Sequence, residues 1–349
     1  MPLGKRASFE AFLARDLSRG NTMKPRTISS LAANAEPRLP FDLGEIVVKH
    51  AFERLLGTIS QLAASPSQAA GRLLSCVSDR GPARAAGLLA ESFGITDRYV
   101  IEEATFATLC LDVFSHAIDD IADDPNSDNI LLAHVGSLLL AKAAQTYAQL
   151  VAGNKRFWEC WERYLKEASE AERFLRQDRD RFAPFEQTSF VMLGQKSALI
   201  KMNVALYASL TDGWNLQEPL EGGLMAVAAG IQLIDDLIDW EEDLDSGIHT
   251  YPVVLTTQRY HTAKSLHDTT NSSPVVVEVL DVAKLKMEEG NRLFMAMGAF
   301  SMVRFVDSLI RRLEEARTQV KWSSEPQTLM SEIRRGKQLS WIIGPRLGH

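Results

Sequence analysis

What this chain most plainly lacks is a surplus of positive charge. Of its 349 residues, 38 are Lys or Arg against 45 Asp or Glu, a formal net charge of −7. Nucleic-acid binding needs clustered cations to neutralise phosphates, so this acidic balance argues against a nucleic-acid partner. Cysteine is scarce: Cys76, Cys110 and Cys160 show no CxxC spacing. Three scattered thiols argue against a disulfide frame or a zinc site and suit a reducing, cytoplasmic compartment. No run reaches the roughly 18 apolar residues of a membrane span, so no transmembrane segment is expected. The N-terminus has no apolar core of a secretory signal. Period-two alternation, the mark of half-buried strands, is nearly missing.

What is present is ordinary globular balance, 46% hydrophobic and 24% charged, with apolar residues at three- and four-residue spacing almost throughout. That spacing predicts helices over roughly 44–64, 66–78, 81–93, 97–122, 129–152, 155–182, 185–211, 220–245, 274–299, 301–320 and 325–336. Ser65-Pro66 and Ser273-Pro274 pair an N-cap with a proline at the first helical position. Pro219 marks another start, and Gly94, Gly213 and the Asn154 region mark ends. VVVEVL at 275–280 has strand propensity, but its proline start and the helical pattern after it make it a helix. Long connections are expected only at 246–273 and at the N-terminus. No linker or repeat divides 41–349, which reads as one all-α domain. Residues 1–40, basic and Ser/Thr-rich, read as a flexible arm; Glu10 and Asp16 count against a transit peptide.

Two acidic segments break the apolar pattern. FSHAIDDIADDP, Phe114 to Pro125, holds four aspartates. At about 100° per residue, Asp112, His116, Asp119, Asp120 and Asp123 share one helix face. Leu111, Phe114, Ile118 and Ile121 fall on the back, and Asp124 at the edge of the front. A solvated acidic helix end is the plain alternative. Against it, carboxylates at a helix C-terminus oppose the macrodipole, and like charges four apart repel. A hard cation such as Mg²⁺ would answer both objections. The segment IQLIDDLIDWEEDLDSG repeats the arrangement, with Gln232, Asp235, Asp236, Asp239 and Asp243 on one arc of about 100°. Facing each other, two such helices would hold Mg²⁺ ions between them, and those ions would attract a diphosphate.

A diphosphate site also needs protein cations. QKSALIKMNVALY places Lys196, Ile200, Asn203 and Tyr207 on one face of the expected 185–211 helix. Apolar neighbours set a functional Lys196 level with the alternative of a snorkelling surface lysine. Arg179, Arg181, Arg334, Arg335 and Lys337 are weaker candidates, each closer to a solvated charge. Phe106, Phe114, Phe190, Tyr207 and Trp240 line a pocket or, more often for such residues, sit in the core. His116 reads as a hydrogen-bonded core residue before a pocket residue.

In order, these motifs resemble those of the class I isoprenoid synthases, in particular the trans-isoprenyl diphosphate synthases (polyprenyl synthetases). Asp119, Asp120 and Asp123 match a first DDxxD, and Lys196-Ser197 a diphosphate-binding KT pair with Ser for Thr. Gln232, Asp235, Asp236 and Asp239 match QxxDDxxD, and Asp243 to Gly247 with Thr250-Tyr251-Pro252 its DLxxGKxTLP continuation. The resemblance implies an all-α, single-domain helical bundle around a deep apolar cavity. It implies three Mg²⁺ held by Asp119, Asp120, Asp123, Asp235, Asp236 and Asp239, with the diphosphate under them and on Lys196. It makes Gln232 a candidate substrate contact and Phe114 and Ser115 the positions that set product length; Asn203 and Tyr207 are candidate substrate contacts through the face they share with Lys196. For Phe114 this rests on the resemblance alone, since the wheel puts it on the apolar back. A homodimer is implied on the same ground.

The departures bear on function. Chain-elongating relatives bind isopentenyl diphosphate through GGKRxRP before the first DDxxD and an Arg pair after it. Here the early stretch is AAGRLLSC with Arg72 only, PNSDNILLAHVG has no arginine, and Ile248 stands for the lysine of GK. Losing such charge-assisted bonds costs roughly 1.5–3 kcal/mol each. One diphosphate site without a second makes the first expectation a terpene cyclase, a lyase ionising an allylic diphosphate of farnesyl or geranylgeranyl length or longer. The alternative is a prenyltransferase, and a third reading is an inactive partner subunit, against which two intact acidic motifs count.

Overall fold

Eleven α-helices account for nearly all the described residues, and no strand occurs among them. The computed structural model describes residues 41–62, 81–123, 129–178, 185–245, 249–260 and 273–322. All of these fall in one compact unit, Pro37–His349; a second unit, Met1–Glu36, lies outside them. The expected arm at 1–40, the helices at 66–78 and 325–336, and Arg72, Asp124, Arg179, Arg181, Arg334, Arg335 and Lys337 also lie outside.

In chain order the helices are α1 (Phe41–Leu62), α2 (Gly81–Ser92), α3 (Arg98–Asp123), α4 (Asn129–Val151), α5 (Lys155–Asp178) and α6 (Gln187–Lys196). There follow α7 (Met202–Thr211), α8 (Gln217–Asp245), α9 (Tyr251–Tyr260), α10 (Ser273–Ala296) and α11 (Phe300–Trp322). Among the described residues no helix is long and apolar enough to cross a membrane. Local signals explain several ends. Asn154 Oδ1 accepts the Phe157 N–H (3.1 Å) and caps α5. Gly94 takes φ +67° past the end of α2, a value that glycine adopts without cost. Pro219 sits in the first turn of α8, where a missing N–H leaves no bond unmade.

The core is threaded by α3, whose Ala104, Phe106, Ala107, Leu109, Cys110, Val113 and Ala117 are fully buried. Burial pushes the Cys110 thiol up to about 12, so it acts as a small apolar side chain. Beside the core, α8 and α10 press together where glycines remove side chains. A Cβ at Gly290 would stand 2.6 Å from the Gly223 carbonyl oxygen, and one at Gly230 2.8 Å from that of Ala283. These contacts fix the axis of the helix that carries the second acidic motif.

Three sequence expectations need correction. The helix expected over 185–211 is broken: α6 stops at Lys196, a 3-10 turn covers Ala198–Lys201, and α7 begins at Met202. At the break Asn203 Nδ2 donates to the Ile200 carbonyl (3.4 Å). The connection expected over 246–273 contains α9. Its β-branched PVVLTT is a poor helix former, but Val253 and Thr256 are fully buried and Val253 packs on Trp240. Ile118, placed on the apolar back of α3, is 42% exposed.

Candidate active site

Lys196 is the pivot between the elements that carry charge. Its position depends on α6 lying hard against α8: a Cβ at Gly194 would collide with the Met225 carbonyl, so only glycine fits. From the end of α6 the Lys196 ammonium lies 3.4 Å from Asp119 Oδ2 on α3 and 3.7 Å from Glu172 Oε2 on α5. Glu172 also pairs Arg176 one turn further along α5. Arg176 Nη1 donates to the Ala122 carbonyl (3.2 Å) at the end of α3. A ring of charge thus joins α3, α5 and α6 around the first acidic motif.

The second motif faces this ring. Burial pushes the Asp235 carboxyl up to about 6; its neighbour Asp239 adds to the rise, while Lys196 of α6 and His116 of α3 pull it back. Asp119 is also raised, by burial first and with Glu172 adding, against the pull of Lys196 and then His116. Lys196 and His116 bear on both aspartates, so the acidic motifs of α3 and α8 lie within electrostatic range of the same two side chains. His116 itself lies 4.0 Å from Asp112. Gln232 donates to Asp236 Oδ1 (3.0 Å) and holds that buried carboxylate in place.

Do these groups suit Mg²⁺? Asp120 Oδ2 is buried and accepts no hydrogen bond. Such an atom costs roughly 1–3 kcal/mol until a donor or cation reaches it. Carboxylates in excess over nearby cations, with raised proton affinity, are what a hard divalent ion relieves. Among the described residues no three His, Cys, Asp or Glu groups are gathered closely enough to hold a metal by themselves. Ions here would complete their shells from water and phosphate oxygen, as Mg²⁺ commonly does. The donor set therefore fits.

The other expected residues lie elsewhere. Because the helix breaks at Ser197, Asn203 and Tyr207 do not share a face with Lys196. Asn203 Oδ1 accepts from Thr108 of α3 (3.0 Å), and the Tyr207 hydroxyl donates to the Ala86 carbonyl of α2 (2.9 Å). Both polar groups are spent on joining helices. Phe114 lies over Gly136 of α4, and Ser115 donates back to Leu111 (3.1 Å). Phe106, Tyr207 and Trp240 are fully buried, whereas the Phe190 ring packs at an angle against those of Phe185 (5.5 Å) and Tyr251 (5.4 Å). Asp239 is exposed, and Asp123 is placed as the last residue of α3.

Sequence reasoning missed Glu172 and Arg176. The signal was there in AERFLRQ, an acid and a base four residues apart on one helix face. It missed Lys201 as well, which is buried between Glu167, Glu221 (3.9 Å) and the Tyr164 ring (4.5 Å).

A bundle of this order, with facing acidic helices, has the trans-isoprenyl diphosphate synthase type of class I isoprenoid synthase fold. Among solved structures the chain is similar to heptaprenyl diphosphate synthase from Staphylococcus aureus, with TM-score 0.61 and 16% identity over 77% of this chain and 97% of that one. It is similar also to polyprenyl synthase from Caulobacter crescentus CB15, complexed with calcium and isoprenyl diphosphate, with TM-score 0.60 and 14% identity over 76% of this chain and 96% of that one. No protein-family model and no curated protein matches the sequence.

Proposed function

We propose that this protein is a Mg²⁺-dependent prenyltransferase of the isoprenyl diphosphate synthase type, taking an allylic prenyl diphosphate as donor. The observation that carries the reading is Lys196, placed between Asp119 and Glu172 and within electrostatic reach of Asp235. The neighbours support transfer over cyclisation, since those proteins are prenyl synthases and one was captured with calcium and isoprenyl diphosphate.

Asp119, Asp120 and Asp123 from α3, with Asp235, Asp236 and Asp239 from α8, would hold the ions, three by the family resemblance. Bound Mg²⁺ supplies charge neutralisation for the departing diphosphate. Lys196 binds and orients that diphosphate; Gln232 keeps Asp236 in place. The apolar faces of α3 and α8 exclude water from the allylic cation after the C–O bond breaks. Phe114 and Ser115 are proposed to bear on chain length, and Asn203 and Tyr207 to shape the pocket through the helices they join. The protein acts as a homodimer, a reading supported by exposed Ile130 and Leu138 on α4.

A second reading, terpene cyclase, is favoured by one observation: no arginine occurs between Asp119 and Lys155 to hold a second diphosphate. The test is incubation with Mg²⁺ and geranyl, farnesyl or geranylgeranyl diphosphate, with and without isopentenyl diphosphate. Longer diphosphates that form only with isopentenyl diphosphate are expected. Hydrocarbon or terpene alcohol from the allylic substrate alone would replace transfer by cyclisation. No turnover of any of them would return the chain to the inactive-partner reading.

A further inference from the structure

The missing arginines leave a question that the fold answers from an unexpected direction. The segment after the first motif, 124–139, has no Arg or Lys. Beside Asp119 and Glu172 stands Lys196, the lysine that the motif pattern singles out. The last turn of α5, however, carries Arg176 to the end of α3, where it donates to the Ala122 carbonyl (3.2 Å) within the DDIAD segment itself. Glu172 pairs both Arg176 and Lys196, so one carboxylate sets two cations on the same side of the first motif.

We infer that Arg176 is a diphosphate-binding residue, supplied by α5 in place of the arginines absent after the first acidic motif, with Glu172 as the positioning residue for Arg176 and Lys196. This rests on the prenyl diphosphate reading of the site. The bland role for Arg176 is a cap on the α3 carbonyls. A cap needs one donor. A guanidinium carries five in a planar fork, which suits it to hold a carbonyl and pair a phosphate at once. Its partners also argue for more than capping: Glu172 spends its charge on two cations beside a motif that already holds Asp119, Asp120 and Asp123. The pair lies at i, i+4, so α5 presents acid and base on one face by its own geometry.

The experiment is calorimetric titration of the full chain with inorganic pyrophosphate in Mg²⁺, for the wild type, Arg176→Gln, Arg176→Lys and Lys196→Ala, with thermal unfolding of each. Gln keeps a donor for the Ala122 carbonyl and removes the charge. The expected result is a loss of affinity of roughly ten- to a hundred-fold in Arg176→Gln, most of it restored in Arg176→Lys, with melting temperatures near wild type. Pyrophosphate affinity unchanged in Arg176→Gln but lost in Lys196→Ala overturns the inference and leaves the site reading intact. Equal losses in Arg176→Gln and Arg176→Lys also overturn it, because charge would then not be what matters. A wild type that binds no pyrophosphate in Mg²⁺ overturns both the inference and the site reading.

Discussion

Lys196 and Lys201 stand five residues apart on either side of one helix break, and each reaches a glutamate of α5. Their surroundings differ. Around Lys201 charge and hydrogen bonding close on themselves. Glu221 accepts from Tyr164, Gln217 (2.6 Å) and Arg163 (3.2 Å), and Gln217 also reaches the Tyr164 hydroxyl (3.0 Å). Around Lys196 carboxylates outnumber cations, Asp120 keeps a buried oxygen with no hydrogen bond, and Asp235 is held toward its neutral form. A closed network anchors helices; an unbalanced one awaits a ligand. Charge balance, more than burial or residue type, separates the two.

That contrast can be broken in three ways. The largest effect is expected at the unbalanced end: Asp120→Ala should cut turnover by roughly 10²–10³-fold or more while the protein stays folded by circular dichroism. Full activity in that variant would remove Asp120 from the site. At the closed end, Lys201→Met leaves the half-buried Glu167 and Glu221 with Arg163 as their remaining partner and should cost about 1–3 kcal/mol in denaturant unfolding. The molecules that fold should keep their pyrophosphate affinity; its loss would mean that the two lysines work as one site. The smallest effect sharpens the comparison. The folded pKa of Asp235, about 6, lies above its ordinary 3.8, so the fold favours the protonated acid. Its stabilising contribution is complete below pH 3.8 and is lost as the pH rises through 6. Asp235→Asn should therefore stabilise the metal-free protein by about 3 kcal/mol near neutral pH, with the gap closing on acidification. A gap that does not change with pH would place Asp235 outside the charged site.

Much of this was legible beforehand. The period of the apolar residues marked most of the helices, and the two DDxxD segments stood out because aspartates at i, i+1 and i+4 interrupt an otherwise apolar helix. The break at Ser197 left no comparable mark: QKSALIKMNVALY has an unbroken helical pattern, and the interruption coincides with α8 crossing at Gly194 and Asn203 bonding across the break. α9 was hidden for the opposite reason, since its propensity is poor and burial beside Trp240 supports it.

By itself, then, the sequence determined the all-α class, the two acidic faces and the lysine between them, because those are properties of single helices and follow from 3.6-residue periodicity. Only the tertiary structure decided which charges meet. Glu172 and Arg176 come to the first motif from 49 and 53 residues beyond Asp123, and Asn203 and Tyr207 turn away from Lys196 into the helices they join. Contacts between helices depend on how their axes cross and how closely they approach, and that is set by the packing of the whole bundle.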